Sequence, residues 1–557
     1  MLKTKKHIIA IAMTLIAIIV INLISSKLYQ RFDLTKDKRY TLSDAALQTI
    51  DGVDSPLVID VFLEGDFPSE FRRLRNETQQ LLEEFSVNNS NVKFDFINPL
   101  ADEATRNQNL QQLSQRGLQP FQISIKNNGK TTQEVIIPWA LASYNEQTVI
   151  IPLIKNKIGA TDQELVNSSI QNLEYAFAEG FKKLVNPKQK KIAVLRGNGQ
   201  LSDVYVADFL KKLGEHYYLA PFTLDSVASN PQRTLQDITN YDLIISAKPS
   251  IPFSEEEKYV LDQFTMRGGK SLWLTESIVM DRDSLNNSSG TAVAIMKDLN
   301  LNDFFFKYGV RINPVIVNDL YSAPIPLAIG EGNNAQFQPV QWSYSPLAAS
   351  NPNHPITTNL DPVKFDFASQ IDTLKNGIDK TLLLRSSQLT KLEGVPREIS
   401  LDVVTQEPDP ESYKEPNQTL AVLLEGEFTS VYDKRVKPFK ISDDVTKSAP
   451  TKMIVIADGD VIKNEVIRNQ PQELGFEFLT KRKFGNKEFL ENAVNYLLND
   501  DGLINIRAKE VKLAFLDFQK IENQKSKWQI INIALPLVIL GLFGIVFNYF
   551  RRKRYTK

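Results

Sequence analysis

YDLIISAKPSIPFSEEEKYVLDQFTMRGGKSLWLTE, residues 241–276, decides the class of fold. Tyr241 to Ala247 is an apolar run of strand length and reads as a buried strand. SEEEKYVLDQFTMRGG opens with Ser254 and Glu257 at capping-box spacing and ends on Gly268-Gly269, so it reads as a helix with a marked start and stop. Lys270 to Glu276 is the next strand. Upstream, KIAVLRGNG (Lys191 to Gly199) runs from a strand into a glycine-containing loop, and Ser202 to Leu213 follows as a helix closed by Gly214. Strands alternating with helices imply a mostly parallel sheet covered on both faces.

Downstream, from about 284 to 448, helical periodicity is poor and short strands such as TLAVLLEGEF (Thr419 to Phe428) lie between turn residues. The α/β pattern returns with KMIVIADGD (Lys452 to Asp460) and the amphipathic KEFLENAVNYLL (Lys487 to Leu498). Residues 284–448 therefore read as a β-rich insertion in one α/β unit spanning 188–503, and 504–529 as a linker. KQKK (Lys188 to Lys191) marks the unit's start.

A first unit, 27–187, precedes it. Leu57 to Leu63, a helix from Ser69 and Val92 to Pro99 form a β-α-β pattern. QISIKNNGKTTQEVII reads as a hairpin turning at Asn128-Gly129, and TVIIPLI (Thr148 to Ile154) is a further strand. A strongly periodic helix runs from Asp162 to Val185 and stops at Asn186-Pro187.

Uncharged apolar segments lie at both ends, Ile8 to Ile24 and Ile530 to Phe550. At ~1.5 Å per residue they reach ~25 and ~31 Å, enough to cross a hydrocarbon core of ~30 Å. The first is longer than a signal-peptide core and lacks an A-x-A-like site. Lys3, Lys5 and Lys6 precede it, and Arg551, Arg552, Lys553, Arg554 and Lys557 follow the second. Basic flanks stay cytoplasmic, so the expectation is a two-pass protein of the inner membrane (residues 1–26 and 530–557) with both termini inside and a large periplasmic body. Lys27, Arg31, Lys525 and Lys527 oppose this, but long loops translocate largely regardless of charge.

Of the 65 basic residues, eight sit in those tails, leaving 57 against 66 acidic ones. That balance argues against a nucleic-acid partner. The absence of cysteine excludes disulfides, thiolate metal sites and a cysteine nucleophile. The three histidines, His7, His216 and His354, are far apart in sequence. Ser202 and Asp203 with His216 form a hydrolytic set on paper, but both cap a helix more naturally, and no G-x-S-x-G elbow is present.

Asn198 in RGNG lies where a doubly wound sheet holds a ligand, yet the loop lacks the glycines and lysine of a phosphate cradle. Asp458 and Asp460 follow a buried strand and could hold a hard cation, although a turn and helix cap accounts for them too. These three are the ligand candidates. No catalytic residue, cofactor or metal site is expected. Gly541 and Gly544 flatten one patch of the second apolar segment and are candidates for docking onto a polytopic membrane partner.

FDLTKDKRYTLSDAALQTI, LVNSSIQNLEYAFAEGFKKL, KIAVLRGNGQ, the opening stretch, MIVIADGDVIKNE and WQIINIALPLVILGLFGIVFNYFRRKRYTK occur in an order that resembles the GldG family of gliding-motility ABC-transporter-associated proteins of Bacteroidetes. The resemblance implies a thioredoxin-like first unit and a glutamine-amidotransferase-like second unit. Without cysteine, neither C-x-x-C redox chemistry nor amidotransferase activity carries over. It also implies two partners, a polytopic permease of the GldF type and a cytoplasmic ATPase of the GldA type. Any ATP hydrolysis belongs to the latter, since this chain has no Walker A sequence. The expected function is a non-catalytic accessory subunit of an ABC-type complex serving gliding motility and its linked secretion machinery. The alternative is a periplasmic substrate-binding component for a glycan, peptide or lipid.

Overall fold

The computed structural model describes residues 41–127, 130–155, 157, 159–185, 188–329, 336–498, 502–508 and 518–555, with six helical positions between 13 and 22. Most of the first apolar segment and the turns at Asn128-Gly129 and Asn186-Pro187 therefore lie outside the described residues. The chain divides into a body, Met1–Glu510, and a C-terminal unit, Val511–Lys557.

Within the body, residues 57–152 build a four-stranded sheet in the order Val92–Phe96, Leu57–Val61, Trp139–Tyr144, Gln147–Pro152. The first pair is parallel and the other two are antiparallel. The β-α-β pattern fixes the parallel pair, because its helix, Ser69–Asn88, buries Phe71, Leu74, Leu82 and Phe85 against the sheet's core. The helix Asp162–Val185 has the expected bounds and buries thirteen of its residues. Strand Trp139–Tyr144 was not foreseen. It alternates half-buried and buried positions with small Ala140 and Ala142 inside, so its apolar signal is weak.

The larger sheet has ten strands. Its parallel half runs Thr451–Ile456, Lys270–Leu274, Leu243–Ala247, Lys191–Arg196, Tyr218–Thr223. Leu243–Ala247 is buried throughout, with Leu243 and Ile245 in one core and Ile244 in the other. Helices Asp203–Leu213 and Asn486–Leu498 cover the first face, and Pro231–Ile238 and Glu255–Met266 the second. The Ser254–Glu257 capping box is formed with both of its hydrogen bonds. Ser202 occupies the N-cap of Asp203–Leu213 but makes no side-chain cap bond.

The segment 284–448 is β-rich, and part of it completes the main sheet. Thr419–Gly426 pairs antiparallel with Thr451–Ile456, and Asp379–Arg385, Gln336–Ser350 and Ser322–Ile329 continue outward.

The last part of the body returns to the first sheet. The 3-10 helix Leu503–Ala508 places Leu503 and Ile506 in one cluster with Leu42, Ala46 and Ile50. Arg507 lies over the Tyr175 ring at 5.1 Å, donates to Asn492 Oδ1 at 2.7 Å and pairs with Glu488. The described segments Asp44–Ile50 and Leu503–Ala508 thus both meet the helix Asp162–Val185.

In the C-terminal unit, helix Phe518–Tyr555 begins inside the expected linker. Its Gln524–Tyr555 portion is the one helix among the described residues long and apolar enough to cross a membrane.

Candidate functional site at the carboxyl ends of the parallel strands

Three buried strands end side by side on charged residues. Leu243–Ala247 runs into Lys248, Lys270–Leu274 into Thr275 and Glu276, and Thr451–Ile456 into Asp458 and Asp460. Lys248 takes the left-handed backbone conformation (φ 53°) while its N–H bonds to Leu274 O at 2.9 Å. A non-glycine residue holds this conformation only where its surroundings enforce it. The enforcement comes from Lys248 Nζ, which meets Asp460 Oδ2 and Asp281 Oδ1 at 2.6 Å each and Glu276 Oε1 at 3.1 Å. Gly459 crosses directly over this lysine, and a Cβ there would lie 2.4 Å from Lys248 Cβ. Only glycine lets the two backbones approach so closely.

The second oxygen of Glu276 pairs with Lys297 Nζ at 2.7 Å. Asp458, fully buried, accepts the backbone N–H of Asp366 at 2.6 Å and that of Asp460 at 2.7 Å. Glu276, Asp458 and Asp460 each place one oxygen within 4.8 Å of the others, a spacing that suits a shared cation. Lys248 stands among these carboxylates as a built-in counter-ion.

Acids outnumber ammonium groups in this cluster, so its members do not all ionise normally. Burial pushes Asp458 well up, and the charges of Asp460 and Glu276 push it further. Burial also raises Asp460, to about 6, against the pull of Lys248. Burial opposes the charge on Lys248, but Asp460, Glu276 and Asp281 outweigh it and hold the lysine protonated.

A pocket of about 110 Å³ adjoins the cluster. It is lined by the carboxylates of Asp281, Asp283, Asp366, Asp460, Glu465 and Glu477. Arg282, Lys364 and Lys463 are its cations, and Phe476 and Phe484 its apolar wall.

Two of the three ligand candidates read from sequence, Asp458 and Asp460, meet here. Asn198 makes its bonds elsewhere. Its Nδ2 donates to Glu257 Oε2 at 3.0 Å, and its backbone O accepts from Ser250 N and Ile251 N. These bonds tie the RGNG loop to the capped end of helix Glu255–Met266 at the carboxyl ends of strands Lys191–Arg196 and Leu243–Ala247, where a doubly wound sheet receives its ligand. A Cβ on Gly197 would meet Asp225 Oδ1 at 2.9 Å, so a carboxylate, hostile to phosphate, backs the loop. His216 lies beside Glu179 at 3.3 Å, His354 Nδ1 accepts from Ile356 N, and Asp203 pairs with Arg196, which separates the paper hydrolytic set. Sequence reasoning missed Lys248, Glu276 and Asp281. For the first two a signal was present, a charged residue directly beyond a buried strand (SAK and LTE).

Gly541 and Gly544 lie on the C-terminal helix, and a Cβ on either would meet, apart from the helix's own neighbouring backbone, no heavy atom of the described residues within 4 Å.

A doubly wound α/β body with a buried, acid-rich cluster at its strand ends, followed by a long apolar helix, defines a membrane-associated protein with no assembled nucleophile–base set among the described residues. Residues 189–493 match the family described as an ABC-type uncharacterized transport system, and that match covers more than half of the chain, so the chain belongs to this family. Residues 36–143 match a domain of unknown function, DUF7088. An uncharacterized protein of Borreliella burgdorferi is 23% identical over 535 residues, covering 94% of this chain and 93% of the relative. Among solved structures, the mmIFT52 N-terminal domain aligns with 56% of this chain and 99% of its own length, at 12% identity and a TM-score of 0.31. Membership of the family makes the chain an auxiliary component of an ABC transport system, and the apolar helix associates it with a membrane.

Proposed function

We propose that this chain is a non-catalytic accessory subunit of the transport system, anchored in the inner membrane by both terminal segments, with its body in the periplasm. Family membership over residues 189–493 is the observation that carries this reading. It is supported by a strand-end cluster whose acids are paired with Lys248, Lys297 and backbone N–H groups rather than directed at a nucleophile. The partners are a permease of the GldF type and an ATPase of the GldA type, and the complex serves gliding motility and its linked secretion machinery. The strand order of the first sheet fits a thioredoxin-like layer, and the parallel half of the second fits an amidotransferase-like one. Both act here as scaffolds. A substrate-binding role ranks second. The pocket beside Asp460 favours it, but about 110 Å³ is small for a glycan or peptide, whose sites run to ~300–1,000 Å³.

Docking through the C-terminal helix is the step to test. Gly541→Leu with Gly544→Leu fills a flat patch and blocks close helix approach. Recovery of the permease with the tagged double variant, from membranes solubilised in mild detergent, is expected to fall roughly ten-fold, with an unchanged circular dichroism spectrum. Equal recovery from variant and wild type would move the contact to the body.

A further inference from the structure

We infer that the last turns of helix Phe518–Tyr555 form a docking face for the headgroup of an anionic phospholipid, an inference that rests on the proposed reading of this helix as a membrane span. Ile545, Asn548, Tyr549, Arg552 and Lys553 line one groove along the helix. Their spacing of three and four residues puts them on a single face. Along the chain that face passes from apolar to polar to cationic, the order of acyl chain, glycerol and phosphate in a lipid. Arg551 and Arg554 fall on the opposite side at ~3.6 residues per turn. All four basic side chains are exposed.

Two exposed rings fix the depth of this face. Trp528 and Tyr549 stand about 31 Å apart along the helix at ~1.5 Å per residue. That matches a hydrocarbon core of ~30 Å, and Trp and Tyr settle at its two boundaries. Tyr549 therefore lies at headgroup level, and Arg552 and Lys553, one turn further on, reach the phosphates. Charge complementarity selects the occupant. No acidic residue follows Glu522, whereas Lys525, Lys527 and the basic residues from Arg551 onward do, so the field around the face is positive. A zwitterionic headgroup leaves that field unmatched, and an anionic one neutralises it. The Arg552 guanidinium suits two phosphate oxygens and the Lys553 ammonium a third. Asn548 and Tyr549 offer N–H and O–H donors to the glycerol and ester oxygens.

The test uses the full-length protein reconstituted in phosphatidylcholine vesicles that carry a trace of spin-labelled phosphatidylglycerol or spin-labelled phosphatidylcholine. The motionally restricted fraction of each label gives their relative affinity. Phosphatidylglycerol is expected to be preferred roughly five- to ten-fold at low salt, and about two-fold or less in ~0.5 M NaCl. Arg552→Gln with Lys553→Gln brings the low-salt preference down to about two-fold or less. Arg551→Gln with Arg554→Gln removes the same charge from the other side and keeps most of the preference. Equal losses in the two double variants would reduce the effect to overall charge and overturn the face. Absence of a preference in the wild type would overturn it too, and would leave the basic end to an acidic protein surface. Alkaline carbonate extraction of native membranes tests the anchor separately. Release of the protein would overturn the membrane-spanning reading and the face with it, whereas retention without a phosphatidylglycerol preference would overturn the face alone.

Discussion

Replacing Lys248 with methionine lowers the stability of the body by about 3–5 kcal/mol at pH 7.5, because buried carboxylates lose their shared counter-ion. Methionine keeps most of the side-chain volume, so lost packing contributes little. Asp460 holds its proton up to about pH 6 in the fold, against an ordinary value of 3.8. Its folded pKa is raised, so its contribution to stability is full below about 3.8 and is lost as pH rises through about 6. Without the ammonium, Asp460 is pushed further up, and the window of loss extends to higher pH. The variant's deficit is therefore large at pH 7.5 and at least halved at pH 5, where the acids take up protons instead. Urea unfolding followed by tryptophan fluorescence at the two pH values checks this. Equal deficits would show that Lys248 matters through packing, and a deficit below about 1 kcal/mol at pH 7.5 would show that solvent reaches the cluster.

Asp262→Ala destabilises by a similar amount, about 3–5 kcal/mol, for a different reason. Asp262 lies on helix Glu255–Met266 and is fully buried. It accepts the Tyr308 hydroxyl at 2.8 Å, the Ser430 hydroxyl at 2.6 Å and the Val431 N–H at 2.8 Å. Alanine leaves these three donors buried without an acceptor. Burial raises the Asp262 carboxyl, and those three donors act to lower it. Asp262→Asn keeps one acceptor oxygen but turns an NH₂ toward the donors, so about half the loss is expected. The Ser430–Val431 segment is held by this carboxylate, and limited proteolysis should cut near it in Asp262→Ala under conditions where wild type stays intact. An uncut variant with wild-type Tm would mean that water satisfies the three donors.

Much of the fold is legible because its signals are local. Leu243–Ala247 is apolar at nearly every position, as a strand covered on both faces must be, and the Ser254–Glu257 box marks its helix within four residues. Asp162–Val185 announces itself by six turns of unbroken periodicity. Trp139–Tyr144, Tyr218–Thr223 and Pro231–Ile238 passed unseen because they are short and partly exposed, and their place is set by pairing and packing partners distant in sequence. The insertion shows the same limit. Thr419–Gly426 reads as a strand, but nothing local says that it extends the parallel sheet through Thr451–Ile456.

The candidate site divides in the same way. Strand-end aspartates are visible wherever a buried run stops, and Asp458 and Asp460 were found on that ground. Lys248 and Asp281 join them across intervals of 212 and 33 residues, measured from Lys248 to Asp460 and to Asp281. Only the parallel alignment of three strands brings those charges together, and only burial converts them from solvated ends into a network that must be neutralised. Composition, periodicity and capping by themselves determined an α/β body without cysteine chemistry, apolar segments at the chain's ends and the order of the main helices, because each depends on neighbours within a turn or a strand. The tertiary structure alone decided which strand ends meet, that Asn198 ties its loop to the start of helix Glu255–Met266, and that Lys248 is the counter-ion shared by Asp460, Asp281 and Glu276. Those outcomes depend on distances between residues that the chain separates and the sheet joins.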